Sequence, residues 1–540
     1  MKRFLVAFAA LALALPAFAD GKKIKRAEAL VLTNGQIHTM DAQRRVVQEV
    51  LIENGRIVDA GKNVDRSGRV RVIDLGGRTA IPGIIDAHNH IVLVGNRPGW
   101  HTPMEHVFSI PEAVQAYLER SVELDAAGVP RTELITTIGP IAARQLAEQR
   151  LPELAELDAV PRPVYIQAAQ GGTRMNSAAI AWFAANNPAV VVNPTTGALV
   201  SGPALQTLRE KLLTPESRKR TASGALQYFN SLGITTHGDS GAFHSEAPSN
   251  GIASENVYTM HFPFIELQRE RSLPARLRID FLHQDPANDP TLPTLAPRLR
   301  NSFQFFGDDW IRTAGIGEFT GGGVAGLVAI GKAGWRGEDH SLNLTSFLNL
   351  VNLRQQAHDQ LVLDGFPDGI TRLRWRISHV PATTEASVNQ WKALGGGLLV
   401  GWGPTRTGTN IGPAYRTLFD NGIPLGWHSD GGDITVISPW LNLYTTVTGR
   451  NLSGDLVNAG QTLTRQEAIW LATAANKWFI GEDDLGSIEP GNHADIVVLD
   501  RDFFTIPDAE IPRVRSVLTV IGGKVMYDAG VVRRKERHDN

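Results

Sequence analysis

Residues 81–90 read IPGIIDAHNH. Strand-forming apolar residues end abruptly at Asp86, and His88 and His90 follow two positions apart. In a strand, residues two apart face the same side. A buried strand that finishes by aiming two imidazoles one way suits the C-terminal end of a barrel strand, where α/β-barrel active sites are built. Two imidazoles close together supply half of a zinc-type site, and catalytic sites of that kind keep a position open for water. On a surface loop the same pair would be two polar residues without a joint role.

Similar segments recur through the middle of the chain, about residues 83 to 480. They are GIIDAH, ELITTIG, PVYIQAA, GITTHGD, RLRIDFL, IRTAGIG, RWRISHV, GGLLVGW and IPLGWHSD. Helix-like pieces such as IPEAVQAYLERSVELDAAG, GALQYFNSLG and LTSFLNLVNLRQQAHDQLV separate many of them. Strand, helix, strand over this length predicts parallel βα units, with a (β/α)8 TIM-like barrel as the leading closed form. Nine candidate strands exceed the eight that a barrel takes, so at least one belongs elsewhere. Residues 240–300, rich in Pro, Asn and Asp, read as long surface loops.

The two ends of the chain follow a different rule. ALVLTNGQIHTM, EVLIENGRIVDAG and RVRVIDLGGRTAIPG are short alternating runs broken by Asn-Gly and Gly-Gly, and ADIVVLDRDFF and SVLTVIGGKVMYDAG repeat the style near the C-terminus. This is hairpin chemistry. The expected organisation is a small β-sandwich domain from residues 28–82 plus 485–535 around a barrel at 83–484.

The 540 residues carry a net charge of −2, which offers no electrostatic footprint for nucleic acid or an anionic membrane surface. The chain has no cysteine, so disulfides and thiolate ligands are excluded and any metal must be held by His, Asp and Glu. At the N-terminus, Lys2 and Arg3 precede an apolar run from Phe4 to Leu15, then Pro16 and Ala17-Phe18-Ala19. This is the pattern of a cleaved signal peptide over residues 1–19, with the mature protein starting near Asp20 in a periplasmic or secreted location. The alternative, an anchor helix, needs about 20 apolar residues.

Further histidines sit at the ends of candidate strands. RWRISHV ends at His379, GWHSDGG carries His428 and Asp430 two apart, and GWRGEDHSLNL sets His340 in a polar turn before a helix. Asp430 could accept a proton from metal-activated water and return it to a leaving group. His237, in GITTHGDSG, and His428 could line the same cavity or pack in the core. Trp100, Trp335, Trp402 and Trp427 could form an apolar substrate wall or belong to the core.

PGIIDAHNH resembles the opening motif of the amidohydrolase superfamily. The stretch LTRQEAIWLATAANKWFIG, with LGSIEPGNHADIVVLD and VRSVLTVIGGKVMYD after it, resembles that superfamily's closing segment. RISHV and HSDGG most resemble the branch that contains N-substituted formamide deformylases. The resemblance implies that His88, His90, His340, His379 and Asp430 are metal ligands, with Asp430 as general acid/base and His379 catalytic. Asn176, His237, His428 and Glu318 are the candidate substrate contacts.

The sequence also departs from that branch. Ser341-Leu342 follows His340 where a Gly-Asp pair is usual. Ser201, in NPTTGALVSG, stands where the branch offers a glutamate, and Gln170-Gly171-Gly172 replaces a substrate-contacting DGH. Without that bridging carboxylate the expectation is one divalent ion, zinc favoured, rather than two. Glu318 is the best replacement, although a structural role is the simpler reading. The function implied is hydrolysis of amide, formamide or cyclic amide bonds in small molecules. The alternative is a non-catalytic periplasmic binding protein on a degenerate barrel. A homo-oligomer is compatible with either, and no membrane partner is expected.

Overall fold

The computed structural model describes residues 29–67, 70–169, 171–242, 260–401, 404–405, 412–432 and 435–537. The expected signal segment, Gln170 and Trp402 lie outside the described residues.

The terminal segments form two sheets. One orders its strands as Arg533–Arg537, Val70–Asp74, Ala29–Thr33, Glu49–Glu53 and Arg56–Gly61. The other runs Lys524–Asp528, Ser516–Ile521, Ile496–Leu499, Thr79–Pro82, Gln36–His38 and Val46–Val47. Alternation assigns the faces: Leu30 and Leu32 join Ile496, Val498, Leu518 and Val520 in a core shared by both sheets. Asn54 and Gly55, with φ of 51° and 79°, make the two-residue turn that the Asn-Gly pair predicts.

The central segment is a TIM-barrel-like α/β fold built on two four-stranded parallel sheets. The first contains β1 (Ile84–Asn89), β2 (Ile234–Asp239), β3 (Arg276–Phe281) and β4 (Ile311–Ile316). The second contains β5 (Glu338–Ser341), β6 (Arg376–His379), β7 (Gly397–Val400) and β8 (Leu425–Trp427). Ile316 bridges to Gly337 in parallel between β4 and β5. Beyond β8, the Asp430 N–H donates to the His88 carbonyl at 3.1 Å, and the His90 N–H donates to the Gly431 carbonyl at 2.7 Å. Every residue of β1, β2 and β3 is buried, as strands covered on both faces require. Helices separate consecutive strands, for example Pro215–Ser231, capped by Thr214, and Leu344–Leu363, capped by Asn343.

Two of the nine expected strands are not in these sheets. ELITTIG and PVYIQAA supply Ile135–Ile138 and Val164–Gln167, which pair with Trp100–His101 and Thr173–Met175 in a separate four-stranded sheet with its own cores. A parallel strand followed by a helix looks the same locally whichever sheet it joins. Conversely, β5 is the strand that the periodicity misses: its four residues are Glu, Asp, His and Ser, with no apolar run. His340 therefore lies on a strand rather than in a polar turn. Within 240–300, expected as loops apart from the RLRIDFL strand, the helix Phe262–Arg269 is an element that the composition does not announce.

Buried ion pairs tie β3 to residues late in the chain. On β3, Arg276 forms a fork with Asp495 (2.7 and 3.0 Å), and Arg278 does the same with Glu482 (2.5 and 2.9 Å). Asp495, from the GNHAD motif, also accepts the Gly522 N–H at 2.7 Å. Paired guanidinium forks are the form in which buried arginine is tolerated.

Candidate metal centre

The C-terminal strand ends bring the expected ligands together. His88, His90, Glu318 and Asp430 each offer an atom within 4.8 Å of the others, and all four are buried. His88 Nε2 lies 3.3 Å from Glu318 Oε2 and 3.4 Å from Asp430 Oδ1. His90 Nε2 lies 3.2 Å from Asp430 Oδ1 and 3.6 Å from Glu318 Oε1. Ligands about 2.0–2.2 Å from a tetrahedral ion stand roughly 3.3–3.6 Å from one another. The observed spacing is the edge of such a tetrahedron.

The far nitrogens decide what the near ones do. His88 Nδ1–H donates to Glu338 Oε1 at 2.6 Å, and His90 Nδ1–H donates to the Gly241 carbonyl at 2.7 Å. These bonds use Nδ1 of both rings and so turn each Nε2 toward Glu318 and Asp430, the arrangement found behind metal-ligating histidines. Glu338 is itself gripped by Arg376 at 2.7 and 2.6 Å, and Arg376 pairs in turn with Asp280.

Glu318 belongs to a second group as well. With His340 and His379 it forms another set within 4.8 Å, its Oε2 standing 3.5 Å from His340 Nδ1 and 3.7 Å from His379 Nε2. A third set, His88, His379 and His428, contains nitrogen alone. Glu318 sits just past the C-terminal end of β4, with its N–H donated to the Ser240 carbonyl at 2.9 Å. It is neither a surface group nor a remote substrate contact. The signal that could have promoted it is the one used for His88: a polar residue at the end of an apolar strand.

Charge in this cluster is organised for a cation. Burial opposes ionisation of His88 and His90, yet the surrounding carboxylates raise the first well above the imidazole range and the second to about 9. Burial likewise opposes ionisation of Glu318 and Asp430, but the imidazoles around them hold both well below the carboxylate range. Burial pushes His379 down, and pushes His428 well down with help from His379 and His88. The test of fit is in the unpartnered atoms: among the described residues, His88 Nε2, Glu318 Oε2 and Asp430 Oδ1 are buried without a hydrogen-bond partner. Such atoms are costly unless an ion or water satisfies them. Imidazole nitrogens and carboxylate oxygens aimed at common points fit a divalent metal.

Two further features position the ligands. His379 and Asp430 adopt left-handed backbone, with φ of 68° and 57°, a conformation that costs a non-glycine residue about 1–3 kcal/mol and clusters at functional sites. Asp86 explains the second: its carboxylate accepts the Ser429 N–H at 2.9 Å and the Ser429 hydroxyl at 2.5 Å, so the first strand fixes the turn that presents Asp430. Asp86, Glu338 and Arg376 received no role from the sequence. Each is a charged residue inside a strand, within three positions of a candidate ligand.

Several expected site residues are elsewhere. Asn176 caps the helix Ser177–Asn186: its Oδ1 accepts from Ala179 N and Val164 N at 2.9 Å each, and its Nδ2 donates to the Arg162 carbonyl at 2.8 Å. Those bonds use its polar atoms in the separate sheet unit. His237 accepts from Asn89 Nδ2 at 3.1 Å and packs 5.7 Å from Phe229, on the helix side of β2, with burial pushing it down to about 3. His428 does join the cluster, against His88 and His379. Ser201 lies exposed in the hairpin Val191–Val192 and Leu199–Ser201, away from any bridging position. Trp335 and Trp427 are fully buried core residues.

Comparison with known proteins supplies the family and the fold. The amidohydrolase family matches residues 71–527. An N-substituted formamide deformylase from Arthrobacter pascens is 24% identical over 559 residues, covering 92% of this chain and 98% of that protein. Among solved structures, an uncharacterized metal-dependent hydrolase from Pyrococcus furiosus aligns with a TM-score of 0.55 at 21% identity, covering 88% of this chain and 100% of that one. Atrazine chlorohydrolase from Arthrobacter aurescens TC1, complexed with zinc, aligns at 0.53 and 16% identity, covering 92% and 95%. With the family match extending over most of its length, the chain belongs to the amidohydrolase family, enzymes that hydrolyse carbon–nitrogen bonds.

Proposed function

We propose that this centre hydrolyses an amide-type carbon–nitrogen bond of a small molecule, using two divalent ions that share Glu318. The observation that carries the reading is the double membership of Glu318, in one group with His88, His90 and Asp430 and in another with His340 and His379. This replaces the single-ion expectation, which rested on Ser201 occupying the bridging position. Zinc suits the imidazole–carboxylate donor set, and the zinc complex of the chlorohydrolase neighbour supports that choice.

A divalent ion held here supplies Lewis acidity for a carbonyl and lowers the pKa of water toward neutrality. The chain does the rest. Asp430 is ionised at neutral pH and buried, so its carboxylate is the acceptor for the attacking water's proton and the donor to the leaving nitrogen. His340 is the most accessible of the five expected ligands, with a quarter of its side chain exposed, and stands where a substrate carbonyl oxygen can be oriented together with His379. Glu338 and Asp86 act through others, by fixing His88 and the Asp430 turn. The alternative, a non-catalytic binding protein, has two motives, the missing bridging carboxylate and the altered Gln170-Gly171-Gly172; the place of Glu318 in both groups weighs against the first.

The wider architecture belongs to the same proposal: a closed (β/α)8 barrel within 83–484, interrupted by the separate sheet unit, and a β-sandwich from 28–82 and 485–535. Export with cleavage after Ala19 is also part of it. No helix among the described residues is long and apolar enough to cross a membrane.

The experiment is Asp430→Asn, assayed on a panel of N-formyl and N-acyl compounds that the wild type turns over, with metal content measured in parallel. The expected result is a loss of turnover of about 100-fold or more with protein and metal retained. Full activity in that variant removes the proposed base.

A further inference from the structure

His428 is unexplained by the centre just described. It is fully buried, as are His88 and, to within 2% exposure, His379. Its ring centroid lies 4.9 Å from each of those two rings. Among the described residues, neither of its ring nitrogens has a hydrogen-bond partner. A buried imidazole carries at least one strong polar group that requires satisfaction, so apolar packing alone would be better served by phenylalanine or leucine. The approach is built into the backbone. The His428 N–H donates to the Val400 carbonyl at 3.2 Å, and a Cβ at Gly401 would stand 2.0 Å from the His428 carbonyl oxygen.

We propose that His428 adds a nitrogen-only cation position, made with His88 and His379, and that this position takes a borderline-soft divalent ion such as copper(II), nickel(II) or zinc(II). The inference rests on the metal-centre reading and extends it. Donor chemistry sets the selectivity: imidazole alone favours these ions, whereas carboxylate-containing sets also accept magnesium and manganese. Shared ligands set the consequence. Glu338 occupies His88 Nδ1, leaving Nε2 as the nitrogen His88 can offer, and that atom already faces Glu318 and Asp430 at 3.3 and 3.4 Å. His88 therefore serves one ion at a time. An ion in the nitrogen-only position withdraws His88 from the carboxylate-bearing one, so excess soft metal displaces the working ion instead of adding to it.

Copper(II) is the probe, because nitrogen hyperfine splitting in its electron paramagnetic resonance spectrum counts the attached imidazoles. The zinc-loaded full-length protein is titrated with copper(II), and the spectrum and bound metals are followed together. The wild type is expected to show a three-nitrogen pattern with release of zinc. His428→Phe and the polar replacement His428→Gln are each expected to lose one nitrogen and bind the probe at least tenfold more weakly. His340→Ala, outside this triad, is expected to keep the pattern. If His428→Phe does not fold, His428→Gln carries the test. A three-nitrogen pattern at wild-type affinity in the His428 variants overturns this inference and leaves the metal centre standing. A wild-type protein that binds no divalent ion at all overturns both.

Discussion

Replacing Glu338 by Gln separates the positioning of a ligand from the stability of the fold. The carboxylate holds His88 through a 2.6 Å hydrogen bond and holds Arg376 through contacts of 2.7 and 2.6 Å. Hydrogen bonds to charged groups contribute about 1.5–3 kcal/mol net, and a neutral amide retains part of that. At about 1.4 kcal/mol per tenfold, the His88 bond alone corresponds to roughly 10- to 100-fold in metal affinity. That is also the usual cost of removing the outer partner of a ligating histidine. Arg376 suffers less, because it keeps Asp280 and the Phe479 carbonyl, the latter at 2.5 Å. Folding should therefore lose only about 1 kcal/mol, rather than the 3–5 kcal/mol of an orphaned buried charge. Competition with a chromogenic chelator measures the first quantity and urea unfolding of the metal-free protein the second. The control is Glu482→Gln, which breaks the buried Arg278 fork and should destabilise without weakening metal binding. The reasoning fails if Glu338→Gln binds metal within twofold of wild type, or if the control weakens binding as much.

Two further predictions use residues away from the ligands. Asn176→Ala should cost about 2–4 kcal/mol, from a lost helix cap and an unpartnered Val164 N–H, with metal content unchanged; a drop in metal content would return Asn176 to the site. Glu105 is buried, which pushes its carboxyl up from 4.5 to about 7 despite Arg97 nearby. The folded state then holds this proton more tightly than the unfolded chain, so the contribution is intact below about 4.5 and is lost as pH rises to about 7. Glu105→Gln should remove that loss and be more stable than wild type at pH 8 by on the order of 3 kcal/mol, with little gain at pH 4.5. Parallel pH–stability curves for the two proteins would count against it.

Much of the centre was legible because catalytic groups end apolar strands. His88, His90, His379 and Asp430 each follow such a run, and the shift from alternation to a polar terminus is a local signal. The hairpin ends were legible for the same reason, since Asn54-Gly55 demands its turn whatever surrounds it. What escaped is set by contacts distant in sequence. β5 carries Glu338, Asp339 and His340 on a strand without an apolar residue, so hydrophobic periodicity is silent there. ELITTIG and PVYIQAA are genuine parallel strands, but which sheet they join depends on partners that periodicity does not encode. Glu318 was undervalued because its meaning comes from the four histidines around it, which arrive from β1, β5 and β6.

The central claim is that these side chains converge on cations with Glu318 between them. Anomalous diffraction from crystals of the zinc-loaded protein, recorded on both sides of the zinc absorption edge, tests it most directly. The account predicts two zinc peaks per chain, one within bonding distance of His88, His90 and Asp430, the other of His340 and His379, with a Glu318 oxygen on each. A single peak that Glu318 does not touch, or peaks remote from these residues, would contradict it.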